Sequence, residues 1–426
     1  MKLAVVGGGS TYTPELADGF GRLAETLPID ELVLVDPSVE RLEPVGAVVR
    51  RILARYGHPA QVTLTSDLDA GVEDAGAVLF QLRVGGQEAR ARDEAWPLDC
   101  GCVGQETTGA GGLAKALRTV PVVLDAAERV RRAAPNAWLV DFTNPVGIVT
   151  RALLDAGHRA VGLCNVAIGF QRRFAALLGV APERVRLDHV GLNHLTWERG
   201  VYLMDDDGVP GPDLLPGLLA THGPELAAEV VLPVDLMRRQ GMVPSYYLRY
   251  FYAHDAVVAE QRHTTSRAEE VAAIERELLD LYADPTLDTK PALLEQRGGA
   301  YYSEAAVNLV AALAGTHEGE GVQIADVRNR GTLPFLPDEA VIEVPALVDV
   351  NGATPLPVGP VGPLQAGLIA HVAAYEELAL DAALRGGRDR VFAALLAHPL
   401  VGQYDIAEAL TDRLLAENKE HLPWAR

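Results

Sequence analysis

What most constrains this chain is a rhythm. Short Val- and Leu-rich runs, each stopping at glycine or polar residues, alternate with amphipathic stretches. KLAVVGGG is a buried strand ending in glycines, and Thr13 to Leu27 carry a helical pattern. ELVLVDP is a second apolar strand, and Ser38 to Tyr56 repeat apolar residues three and four apart. QVTLTSDL, GAVLFQLRVGG, NAWLVDFTNP and AVGLCNV continue the series. Strands alternating with helices imply βαβ units and a parallel sheet. Such sheets receive ligands beyond the carboxyl ends of their strands. Chemistry is therefore expected at Gly7–Ser10, Asp36, Arg83–Arg92, Asn144 and Cys164–Asn165.

Past residue 166 the pattern changes. Helical stretches (GFQRRFAALLG, SRAEEVAAIERELLDLY, QAGLIAHVAAYEELALDAAL) mix with strand-like ones (VRLDHVGLNHLTWERGVYLM, AVIEVPALVD). A chain of 426 residues accommodates two domains. The expected division is a Rossmann-type nucleotide domain over 1–166 and an α+β domain over 167–426 that carries substrate and metal. The Pro/Gly-rich segment from Ala353 to Gly362 reads as a loop.

Charge narrows the partners. Net charge is −21, whereas binding a nucleic-acid backbone needs a surplus of Lys and Arg over a surface. A phosphorylated small molecule needs only a few local cations and stays open. No apolar run approaches the roughly 20 residues that span a bilayer, and MKLAVVGGGS reads as a first strand, not as a signal peptide. The three cysteines, Cys100, Cys102 and Cys164, are too few for a disulfide framework. A reduced cytoplasmic setting is expected.

Gly7-Gly8-Gly9-Ser10 lies between a strand and a helix, the context that a dinucleotide fingerprint requires. Glycines let the backbone approach a pyrophosphate, which a helix N-terminus favours. Tyr12 stands where a third glycine would be, so the motif alone is weak. Asp36 strengthens it, ending the second strand where an acid grips the adenosine ribose hydroxyls of NAD. The plainer alternative, a turn cap before Pro37, leaves that spacing unexplained.

Cys164 at the end of an apolar strand is by itself an ordinary small hydrophobe, and His194 by itself an ordinary strand histidine. Their neighbours alter this reading. Cys164 falls on the nucleotide side, and Asn193 and His194 interrupt an apolar run. A thiolate and an imidazole can hold a divalent ion and leave positions for substrate oxygens.

GGGSTYTPEL, LRVGGQEARARDE, GQETTGAGG, FTNPVGIVT, GLCNVAIG, VGLNHL and PSYYLRYFY occur in this order between residues 3 and 267. Together they resemble glycoside hydrolase family 4, the NAD- and manganese-dependent glycosidases, and in particular its 6-phospho-β-glucosidase branch. The resemblance implies a fold like that of lactate and malate dehydrogenases and a homodimer or homotetramer. By position it implies that Cys164 and His194 bind Mn²⁺, and that Tyr247 is the catalytic base, with Tyr246 as the rival assignment. It places Glu106 near that tyrosine, raising its basicity. Gly7, Gly9, Ser10, Asp36 and Arg83 would hold NAD. Asn144 and Asn165 would contact the sugar, and Arg90 and Arg267 its 6-phosphate, with Arg83 and Arg92 as alternatives to Arg90. The plain alternatives are a buried aromatic for Tyr247, a turn former for Asn144 and solvated helix charges for the arginines. Asn165 replaces the Asp of α-specific members, and an amide cannot donate a catalytic proton in this way. This favours β-glucosides. Ala110 and Ala167 stand where proline is usual.

The implied substrate is a phosphorylated disaccharide or aryl glycoside, cleaved without the usual pair of carboxylates. Hydride leaves C3, the ketone acidifies the C2 proton, Tyr247 removes that proton, and the aglycone departs from C1. Water addition and hydride return complete the cycle. Three other readings compete, one of them a family 4 glycosidase of different sugar or anomer specificity. An NAD-dependent dehydrogenase of a small hydroxy acid would accumulate NADH. A nucleotide-sensing protein would bind NAD without releasing aglycone.

Overall fold

The computed structural model describes residues 1–298, 301–316 and 321–425. Twelve strands are formed among these: β1 (Lys2–Val6), β2 (Glu31–Val35), β3 (Gln61–Thr65), β4 (Ala77–Phe80), β5 (Trp138–Asp141), β6 (Ala160–Gly162), β7 (Val185–Leu192), β8 (Leu195–Leu203), β9 (Val243–Pro244), β10 (Val322–Arg328), β11 (Val341–Asp349) and β12 (Gly352–Pro355). They join one sheet in the order β3-β2-β1-β4-β5-β6-β10-β11-β7-β8-β9, with β12 pairing β11.

The first six strands are parallel throughout. Their order 3-2-1-4-5-6 is that of the doubly wound dinucleotide fold. Helices cover both faces, which explains why β4 and β5 are buried at every position. Leu3, Val5, Leu34 and Leu79 have no exposed surface, and burying each such side chain contributes about 1.5–3 kcal/mol. From β10 onward the sheet turns antiparallel. The parallel and antiparallel parts together bear out the α/β expectation.

Local differences have physical reasons. The first helix stops at Arg22 rather than Leu27, where Leu23 and Leu27 close a tight turn instead. The stretch read as one strand through Asn193 and His194 is a hairpin, β7 to β8, with those two residues as its turn. His194 has a φ of 63° there, left-handed for a residue with a side chain. Ala353 to Pro355, expected as the start of a loop, instead pair with β11 as part of β12.

Helix Gly109–Ala133 packs beside the parallel strands with Lys115 and Arg118 buried. Charges survive there only when paired. Arg118 meets Asp93 at 2.6 Å and Lys115 meets Glu106 at 2.6 Å. These pairs fix the helix against the cleft.

Candidate active site

One cavity of about 1230 Å³ runs along the carboxyl ends of β1, β2, β4 and β5. It is larger than a single drug-sized ligand needs, with room for a dinucleotide and a sugar side by side. Gly7, Ser10, Asp36 and Arg83 line it together with Arg90, Glu106, Asn144, Asn165, His194 and Tyr247. Arg267 lines the cavity as well.

The nucleotide end is built by β1 and β2. Gly7 has a φ of 91°, and its N–H donates to the Val35 carbonyl at 2.8 Å, so the chain turns sharply over β2. A Cβ on Gly9 would sit 2.9 Å from the Asp36 carboxylate. Glycine is required because Asp36 closes down on this turn, accepting from Gly9 N at 3.1 Å and Ser38 N at 2.9 Å. The carboxylate still borders the cavity, where two hydroxyls of a ribose can reach it. These residues fit a dinucleotide.

Asn144 follows β5, and its Oδ1 is buried without a protein partner. An orphaned carbonyl oxygen on a cavity wall is satisfied by a ligand hydroxyl. Asn165 immediately precedes helix Val166–Leu178.

Glu106 has three cations on it. Arg83 and Lys115 donate to its carboxylate, and Arg90 lies 3.2 Å away. Burial opposes the charge, but Arg83, Lys115 and Arg90 outweigh it and hold Glu106 well below the carboxylate range. Lys115 moves down to about 7, because burial and the two guanidiniums outweigh one carboxylate. The two shifts differ in meaning because Glu106 has three opposite charges and Lys115 only one. Arg90 also binds Glu94 at 2.7 Å.

His194 and Tyr247 stack face to face, 3.6 Å between centroids and 7° between planes. Burial pulls His194 down to about 3, with Lys115 adding to the effect, so the ring is neutral at pH 7. Its tautomer follows from its neighbours. Gln105 Oε1 accepts from the backbone N–H groups of Thr107 and Thr108 and from the Thr107 hydroxyl. That hydroxyl has spent its only proton, so at 2.9 Å it accepts from His194 Nδ1–H. The Nε2 lone pair is left for a metal.

Cys164 is buried just beyond β6. Val166, at the start of a helix, and Asn193 favour its thiolate. Burial, Glu343 and Asp326 push the thiol well above its usual range. A metal binding there releases the thiol proton. A soft sulfur and a neutral imidazole suit Mn²⁺ or a similar divalent ion only with further oxygen ligands. No group of three or more His, Cys, Asp and Glu able to hold a metal occurs among the described residues.

Burial first, then Cys164 and Glu106, push the Tyr247 phenol up, and Arg90 pulls it down. The protein alone thus keeps Tyr247 protonated. Tyr246 is different: it is 38% exposed and hydrogen-bonded by Arg249 at 2.8 Å. Arg267 opens helix Arg267–Ala283 and pairs with Glu270 at 3.0 Å. Lys115, Tyr302 and Arg297 also line the cavity, and sequence reasoning missed them. A lysine inside the apolar pattern of GLAKAL was the available signal for Lys115.

Fold and cleft together define a Rossmann-type α/β enzyme. The chain belongs to glycosyl hydrolase family 4: residues 2–180 match the model of the family 4 glycosyl hydrolases and residues 189–401 that of their C-terminal domain. A probable 6-phospho-β-glucosidase of Bacillus subtilis is 36% identical over 99% of this chain and 97% of its own. The 6-phospho-β-glucosidase of Thermotoga maritima, solved with manganese, NAD⁺ and glucose 6-phosphate, superposes with a TM-score of 0.91 at 33% identity, covering 99% of each chain. Malate dehydrogenase of Salinibacter ruber shares the fold alone, at a TM-score of 0.50 and 17% identity over 91% of this chain and 99% of its own.

Proposed function

We propose that this chain hydrolyses 6-phospho-β-glucosides to glucose 6-phosphate and free aglycone, using NAD and Mn²⁺. The observation that carries the reading is the stacked His194–Tyr247 pair, in one cavity with the Gly7–Ser10 turn and Asp36. The β-glucosidases that this chain resembles support the substrate class, and Asn165 in place of an acid supports the anomer.

When bound, nucleotide and metal supply a hydride acceptor at C3, an electrophile for the C3 oxygen and positive charge beside the phenol. Gly7, Gly9, Ser10, Asp36 and Arg83 hold the nucleotide. His194 Nε2 and Cys164 Sγ hold the metal. Asn144 and Asn165 hold sugar hydroxyls, and Arg90, which acts on Tyr247, and Arg267 anchor the 6-phosphate. Tyr247 takes the C2 proton. Glu106 acts on it through charge: its oxygens are occupied by Arg83 and Lys115, so it opposes the cations around the phenol instead of accepting the phenol proton.

Residues 1–166 then form the nucleotide-binding domain, which also supplies Arg90, Asn144, Cys164 and Asn165, and 167–426 the domain that completes the substrate and metal site. The reading includes a homodimer or homotetramer in the cytoplasm. Three unpaired cysteines suit a reducing compartment, and no helix among the described residues is long and apolar enough to cross a membrane. The test is release of 4-nitrophenol from 4-nitrophenyl 6-phospho-β-glucoside under reducing conditions. Turnover should need both NAD⁺ and Mn²⁺ and leave no net NADH. Undiminished turnover without either one, or NADH rising in step with product, overturns the proposal.

A further inference from the structure

Tyr12 stands where the dinucleotide fingerprint has its third glycine, and the structure gives that departure a partner. The Gly7–Ser10 turn leads into helix Thr13–Arg22, and Arg297 reaches it across 286 residues of sequence. Arg297 Nε donates to Thr11 Oγ1 at 2.8 Å, and Nη2 donates to Glu275 Oε1 at 2.9 Å. The guanidinium carbon lies 5.6 Å from the centre of the Tyr12 ring, within the range of a cation–π contact. A glycine at position 12 would take that support away. Glu275 comes from helix Arg267–Ala283 and also accepts from Gln87 Nε2 at 3.0 Å. Its second oxygen lies 3.6 Å from Arg41 Nη2, and Arg41 Nε donates to the Gly9 carbonyl at 3.1 Å. Ser10, Tyr12, Arg41, Gln87, Glu275 and Arg297 all line the cavity.

We propose that Arg297, held by Glu275 and Thr11 against the Tyr12 ring, is a binding residue for the diphosphate of the dinucleotide. The inference rests on the NAD reading above and adds a cation that the glycine motif does not contain. Two guanidiniums share one carboxylate here, so the group carries one surplus positive charge beside the turn. Glu15, in the first turn of helix Thr13–Arg22, is neutralised by Lys290 at 2.7 Å. The N-terminus of that helix favours an anion at the same place. The Arg297 side chain is only 14% exposed, yet its Nη1 meets no acceptor among the described residues. A guanidinium so far out of water is costly unless its hydrogens are used, and a diphosphate oxygen supplies the acceptor. Arg41 packs on Gly9 beside Asp36, which ties the group to the nucleotide turn.

The experiment is isothermal titration calorimetry of the full chain with ADP-ribose and, separately, with glucose 6-phosphate. ADP-ribose carries the diphosphate without the nicotinamide. A hydrogen bond to a charged group is worth about 10–150-fold, so Arg297→Gln should weaken ADP-ribose by that factor and leave glucose 6-phosphate unchanged. A chain carrying both Arg297→Gln and Glu275→Gln leaves no carboxylate stripped of its partner. It should show the same loss, and it covers the case in which the single variant does not fold. Wild-type ADP-ribose affinity in either variant, or an equal loss of glucose 6-phosphate, overturns the inference. A wild-type chain that binds neither NAD⁺ nor ADP-ribose overturns the NAD reading itself, a separate outcome.

Discussion

The imidazole of His194 lies flat against the phenol ring of Tyr247, 3.6 Å away. One ring comes from a hairpin turn and the other from the 3-10 helix Tyr246–Leu248. The contact puts the proposed metal ligand and the proposed base in one stack, so each limits the movement of the other.

Tyr247→Phe should keep that stack and the fold while removing the proton acceptor. Proton-transfer groups contribute about 10²- to 10⁴-fold to rate, so kcat should drop by that range with the melting temperature little changed. Steady-state kinetics with a thermal melt checks both, and normal kcat would return the role to Tyr246.

Thr107→Val keeps the shape beside His194 and removes the acceptor for its Nδ1–H. With the tautomer no longer fixed, Mn²⁺ affinity should fall about 10–100-fold. Equilibrium dialysis measures it. Affinity equal to wild type would mean that Gln105 and Thr107 do not set the tautomer.

Removing Arg267 should penalise phosphorylated substrate far more than its unphosphorylated counterpart. A hydrogen bond to a charged group is worth about 1.5–3 kcal/mol, or about 10–150-fold in kcat/KM. Equal losses on both substrates would assign Arg267 to its Glu270 contact alone.

Glu106→Gln leaves Arg83, Arg90 and Lys115 without their shared counter-charge. Breaking such a buried arrangement costs about 3–5 kcal/mol. The native carboxyl lies below its unfolded value of 4.5, so its stabilisation is present above that value and is lost as pH falls through the native one. The stability gap between wild type and variant should therefore shrink on acidification. Lys115 has the other sign: lowered to about 7 from 10.5, it makes the wild type more stable as pH rises between those values. Urea unfolding from pH 3 to 10 reads both slopes, and a gap independent of pH below 5 contradicts the charge account.

The meeting of the Gly7–Ser10 turn with Asp36 was legible because its parts are consecutive. A strand, a glycine turn and Asp36 at the end of the next strand need only the parallel pairing of β1 with β2 to meet. The turn at Asn193–His194 was less visible, since Leu192 and Leu195 flank it and mask the break in alternation. The Glu106 cluster depends on how helix Gly109–Ala133 rotates Lys115 toward the strand ends, and no local pattern encodes that rotation. The contact of His189 with Glu343 joins residues 154 apart and arises only from strand order.

Abstraction of the C2 proton is the central chemical claim, and hydrolysis in D₂O tests it most directly. Glucose 6-phosphate formed from 4-nitrophenyl 6-phospho-β-glucoside should carry solvent deuterium at C2, as mass spectrometry and proton NMR can read. Product formed at the normal rate with only protium at C2 would contradict elimination and would require direct displacement at C1.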